Sequence, residues 1–172
     1  MIEVILGNVF SLLAMGTDTL SASRKTGKGV LLTQLASQVF YGASAFVLKG
    51  YSAVVQNSVS VLRNLCALYP KSPQWIYWVL VAAGVGFGIG FNNLGLIGWI
   101  PIVANLMYSL VVFFAKGDAV ILKTAFLILT AMFAVFNFSI RNYVGAVGNV
   151  VIVITTAVYI YKELKNRRAS RG

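Results

Sequence analysis

Apolar positions fall into seven long runs parted by short polar gaps. The runs cover residues 2–23, 30–48, 51–68, 75–91, 94–114, 119–138 and 143–161. Each is close to the roughly 20 residues that a helix needs to cross a hydrocarbon core about 30 Å thick. The pattern predicts an all-α polytopic membrane protein with seven transmembrane helices. The third run is the most polar, with Gln56, Asn57, Arg63 and Asn64 inside it.

Composition sharpens this picture. The chain is 59% hydrophobic and 10% charged, with a mean hydropathy of +0.84. That leaves no room for a soluble domain, so residues 1–172 read as a single transmembrane domain. Residues 1–16 are apolar but carry Glu3 and no early base, which argues against a cleaved signal peptide. The net charge of +10 could suggest nucleic acid, but the bases sit in the gaps and in the tail 162–171. Arg24, Lys25, Lys28, Lys71, Lys116, Lys123 and the tail bases fall on one side, with Arg63 nearest that end; only Lys49 and Arg141 fall on the other. An excess of bases on one side orients a membrane protein, so the N-terminus is expected outside and the C-terminus in the cytoplasm. The single cysteine, Cys66, and the absence of histidine exclude an intrachain disulfide and the usual zinc sites. With four acids and no Ser-His-Asp set, an enzyme is not expected, nor is a cofactor. A retinal photoreceptor is excluded because 143–161 lacks a lysine.

The chain also repeats itself. Phe40-Tyr41, Lys49, Tyr51, Ala53-Val54-Val55 and Asn57 match Met132-Phe133, Arg141, Tyr143, Gly145-Ala146-Val147 and Asn149, 92 positions on. A base, a Tyr and an Asn in one register mark a duplicated unit. Gly7–Met15 lies on Gly98–Leu106 with a shift of 91, which sets Lys25 on Lys116. A three-helix unit ends on the side opposite its start, so a parallel copy needs one extra crossing. This divides the chain into a first bundle (1–69), a linker helix (74–92), a second bundle (94–165) and a basic cytoplasmic tail (166–172). The linker carries Gly84, Gly86, Gly88 and Gly90. Small residues four apart let helices approach closely, so Gly84 and Gly88 are candidates for contact with a second copy. A phosphate-binding glycine loop is rejected, because the run lacks a preceding strand and a lysine.

The chain resembles the YgjV family of bacterial inner membrane proteins. The likeness is carried by Tyr51 to Arg63 with Ala53, by Gly98-Trp99-Ile100-Pro101-Ile102-Val103, and by Asn137-Phe138 followed by Gly145. It implies a bacterial inner membrane location. The arrangement of three, one and three helices is also similar to SWEET sugar facilitators and PnuC-type vitamin transporters. The SWEET likeness implies a central pocket with Asn57 and Asn149 at that family's paired Asn places and Tyr41 and Phe133 near its Trp places. Of its paired first-helix prolines, only Pro101 is present.

Candidate chemistry follows from polar residues inside spans. Asn57 and Asn149 offer donors and acceptors to a hydroxylated or amide-bearing ligand, or else bond neighbouring helices. Gln34, Gln38 and Tyr41 share one helix face, as do Asn105 and Tyr108, and a polar stripe belongs inside the bundle. Tyr41 and Phe133 suit stacking on a ring, or ordinary packing. Asp18 and Arg63 lie at similar depth; they form either an inner-gate ion pair or two side chains reaching for headgroups. Tyr51 and Tyr143 read as interfacial anchors. The expected function is a small carrier for a small polar, uncharged solute, working by alternating access between lipid-embedded repeats. The alternative is a structural or regulatory membrane protein without a ligand.

Overall fold

The computed structural model of the chain describes residues 1–69, 71–115 and 118–169. Lys116 and, in the tail, Arg171 lie outside the described residues. The described chain forms seven helices: α1 (Ile2–Ser23), α2 (Gly27–Val47), α3 (Tyr51–Leu68), α4 (Gln74–Gly90), α5 (Leu96–Phe114), α6 (Ala119–Ser139) and α7 (Tyr143–Ala169). Five of them are long and apolar enough to cross a membrane, and α4 is a shorter apolar helix. The remaining one, α3, spends its polarity inwards: Ser52, Gln56, Asn57, Ser60, Arg63 and Asn64 are all buried, while Leu62 and Leu65 are exposed.

The whole molecule follows this inverted plan. Among the described residues, 20 buried side chains are polar or charged against 18 buried hydrophobic ones, and the outer faces carry Leu12, Phe46, Trp78, Phe87, Ile128, Phe138 and Ile154. Lipid solvates apolar surface, whereas an amide or hydroxyl in lipid without a partner costs free energy, so polar groups converge inside.

Six helices close a ring in which α1 packs on α2, α2 on α3, α3 on α5, α5 on α6, α6 on α7, and α7 on α1. Outside the ring, α4 lies against α3 and α5. Exchanging α1 with α5, α2 with α6 and α3 with α7 maps every contact of the ring onto another. The contact pattern is that of two three-helix units, α1–α3 and α5–α7, closed into one ring.

The turns carry the duplication down to single bonds. Lys49 and Arg141 are the two non-glycine residues with positive φ among the described residues, at 60° and 62°. At α2–α3, Lys49 N–H donates to Phe46 O at 3.1 Å and Gly50 N–H to Ala45 O at 2.8 Å. At α6–α7, Arg141 N–H donates to Phe138 O at 3.2 Å and Asn142 N–H to Asn137 O at 2.9 Å. Both are Schellman closures with a left-handed residue after the helix, which satisfy carbonyls that the helix end would orphan.

Two further features belong to α4 and α7. Gly84 and Gly88 of α4 pack within the chain, against α3 and α5. A Cβ at Gly88 would collide with Gln56 Nε2 of α3, and one at Gly84 would come within 3.3 Å of Val59. Gly86 and Gly90 meet nothing within 4 Å. Helix α7 also runs eight residues past its apolar run, carrying basic residues on a helical extension. Glu163 fixes that extension: it accepts from buried Lys123 Nζ at 3.0 Å and pairs with Arg167, one turn on, at 3.4 Å.

Candidate functional site

The ring encloses a narrow cavity: about 50 Å³ is open to the centre of a water molecule, within about 640 Å³ of unoccupied space that includes the open mouth. All six ring helices line it: Asp18 from α1, Tyr41 from α2, Asn57 from α3, Asn105 from α5, Phe133 from α6 and Asn149 from α7. No residue of α4 does. The cavity lies between two apolar clusters. One gathers Leu31, Tyr108, Val112, Leu122, Phe126 and Ile152 near the end where α1 finishes. The other gathers Ala45, Ala53 and Phe136 near the two duplicated turns.

The two walls differ in how their polar groups are used. On the α3–α5 wall Asn105 is a hub. Its Oδ1 accepts from Ser60 Oγ at 2.7 Å and from Arg63 Nη1 at 2.6 Å. Its Nδ2 donates to Gln56 Oε1 at 2.8 Å and to Gln56 O at 3.1 Å. Gln56 Nε2 passes the chain on to Gly84 O of α4 at 2.7 Å. Donors and acceptors there are spent on one another. The opposite wall keeps free capacity. Tyr41 Oη donates to Asn149 Oδ1 at 3.1 Å, and Asn149 Nδ2 and Asp18 Oδ1 have no partner.

The structure therefore brings Asn57, Asn149, Tyr41, Phe133, Gln38, Asn105 and Asp18 to one cavity. The two Asn residues are not used alike, for Asn57 Nδ2 donates to Ala53 O on its own helix at 2.8 Å. Gln34, Tyr108 and Arg63 are not in the lining. They form a buried layer beside it: Tyr108 Oη donates to Gln34 Oε1 at 2.8 Å, and the Arg63 guanidinium carbon stands 4.7 Å from the centre of the Tyr108 ring. The expected Asp18–Arg63 ion pair is not formed. Arg63 Nη1 is held by Asn105 and Ser109, and its Nε donates to Asn64 Oδ1 at 3.0 Å. Three neutral oxygens on α3 and α5 hold Nε and Nη1 of the guanidinium, and Nη2 has no partner.

Several lining residues escaped the sequence reading, and the repeat could have found some. Thr130 lies 92 positions after Gln38, and Asn137 lies 92 after Ala45; all four line the cavity. Asn142 stands where the first repeat has Gly50. It caps α7 by accepting Gly145 N–H at 3.0 Å, and donates to Ser11 Oγ of α1 at 2.9 Å.

A family model for bacterial inner membrane proteins, Imp-YgjV, matches residues 5–167. The chain belongs to the Imp-YgjV family. That membership agrees with the helices described above and makes it a multi-pass inner membrane protein. No curated relative and no solved structure matches the chain. Within this family member, the residues carrying the likeness hold the fold as well as the cavity. Arg63 ties α3 to α5, a Cβ at Gly98 would strike Asn92 of the preceding loop, and Gly145 sits under the Asn142 cap.

Proposed function

We propose that the chain is a small carrier that binds a small polar solute in the ring cavity and moves it by alternating access. One observation supports this reading: the ring cavity is lined by polar residues from both three-helix units, with unspent hydrogen-bonding groups in one wall. Repeat-built transporters place their solutes at such an interface and rock one unit against the other. The wall formed by α3 and α5 acts as the fixed brace. Tyr41, Asn149 and Asp18 meet the solute, and no catalysis enters. The excess of bases near the end where α1 finishes supports a cytoplasmic face there and an N-terminus outside.

The test is thermal stability of the purified protein in detergent against sugars, nucleosides, B vitamins and amino acids. A ligand at a hundred times its dissociation constant adds about 2.7 kcal/mol to the folded state. A stabilising solute whose effect is lost in Asn149→Ala, and which enters proteoliposomes containing the protein, supports the carrier. A flat response, with the variant merely less stable, favours a scaffold without a ligand.

A further inference from the structure

The charges around the cavity are unbalanced. Asp18 is 3% exposed and lines it, with Oδ1 unpartnered. No base lies within ion-pair distance among the described residues. The lining holds no Lys or Arg at all. Arg63 is outside the lining; it donates to the neutral Asn64, Asn105 and Ser109, keeps Nη2 unpartnered, and makes no ion pair with Asp18. Lys123, also buried, is spent on Glu163.

The repeat shows why no base answers Asp18. Shifting by 91 sets Asp18 on Ser109, and shifting by 92 sets Arg63 on Thr155. In one half of the ring, Arg63 donates to Ser109 at 3.0 Å. The mirrored place beside α1 holds Thr155, whose hydroxyl is spent on Val151 O at 2.9 Å and Ile152 O at 3.1 Å. The base and the acid thus occupy opposite, non-facing copies of one contact.

A carboxylate buried in a low-dielectric cavity calls for a cation, because an isolated charge there is strongly disfavoured. The rest of the lining says which kind. Tyr41, Phe126, Phe133 and Phe136 supply aromatic walls, and ring faces attract organic cations. A bare Ca²⁺ or Mg²⁺ needs about six oxygen ligands, several of them carboxylates, whereas this lining has one carboxylate.

We propose that the carried solute bears a protonated amine, which pairs with Asp18, while Asn149 Nδ2 donates to an oxygen elsewhere on the same molecule. This rests on the carrier reading and narrows its substrate class from polar solutes to amines.

Matched pairs test it: glucosamine against glucose, ethanolamine against ethylene glycol, and putrescine against 1,4-butanediol. Each is titrated into the detergent-purified protein with thermal stability as the readout. The amine of at least one pair is expected to act at a concentration tenfold or more below its neutral partner. Asp18→Asn should bring that ratio to about one, and Asp18→Glu, which keeps the charge, should preserve a preference for the amine. Equal action of both members, or a preference that survives Asp18→Asn, overturns the amine and leaves the carrier standing. If neither member of any pair stabilises the protein, and the broader solute panel is also flat, the carrier and the amine fall together.

Discussion

Replacing Asn105 with alanine should be far more damaging than replacing Asn57, although both line the cavity. Asn105 spends all four of its bonding positions across helices, on Ser60, Arg63 and twice on Gln56. Side-chain hydrogen bonds between membrane helices average about 0.6 kcal/mol, so the three neutral ones amount to about 2 kcal/mol. Taking an acceptor from a buried guanidinium adds about 1 kcal/mol, the low end for an unsatisfied group, because Ser109 still accepts from Nη1. The expected loss is about 3 kcal/mol, a large part of the 5–15 kcal/mol typical of a folded domain. Asn57 donates only to Ala53 O of its own helix. Its removal should cost under about 1 kcal/mol, the worth of one such bond. Unfolding by graded addition of SDS to the protein in mixed micelles, followed by circular dichroism, measures both. If the two variants lie within about 0.5 kcal/mol of each other, near the noise of a surface substitution, the Asn105 hub does not brace the α3–α5 interface.

Gly88→Val should lower the unfolding midpoint by driving a side chain into Gln56 and Ile102, whereas Gly86→Val, with nothing within 4 Å, should leave it unchanged; a thermal melt separates them. Asn142→Ala should cost about 1–2 kcal/mol, from a lost helix cap and a lost bond to Ser11, measured by the same SDS titration. Asp118 caps α6 outside the membrane span. Slight burial works to raise its pKa, but Ile121 N–H, the Arg167 side chain and Val120 N–H together hold it below the ordinary carboxylate value. Its contribution is therefore complete above the unfolded pKa and disappears as pH falls through the lowered folded value. Stability should drop on acidification in the wild type and less so in Asp118→Asn, read from melts between about pH 6 and pH 3, a range that brackets ordinary carboxylates. In a Cys66→Ser background, Lys49→Cys should react with an impermeant maleimide on intact cells, and Lys165→Cys only after lysis. The reverse pattern refutes the orientation.

Much of this protein was legible in the chain itself. Seven apolar runs set seven helices, because each must satisfy its own backbone in lipid. The shared register of Tyr41, Lys49 and Asn57 with Phe133, Arg141 and Asn149 set the repeat and most of one cavity wall. The duplicated turns at Lys49 and Arg141 then reproduced it bond by bond. What sequence could not decide is which polar group meets which. Asp18 and Arg63 share a depth, yet depth along a helix does not fix the direction a side chain takes around the ring. Packing α3 on α5 gave the guanidinium to Asn105 and Ser109 and left the carboxylate facing the cavity. The glycines of α4 likewise announce a close approach without naming the partner. Only the closed ring, with α4 laid over α3 and α5, shows that the partner is the chain itself. A one-dimensional pattern encodes how polar each position is; pairing across helices is a long-range choice that the assembled bundle makes.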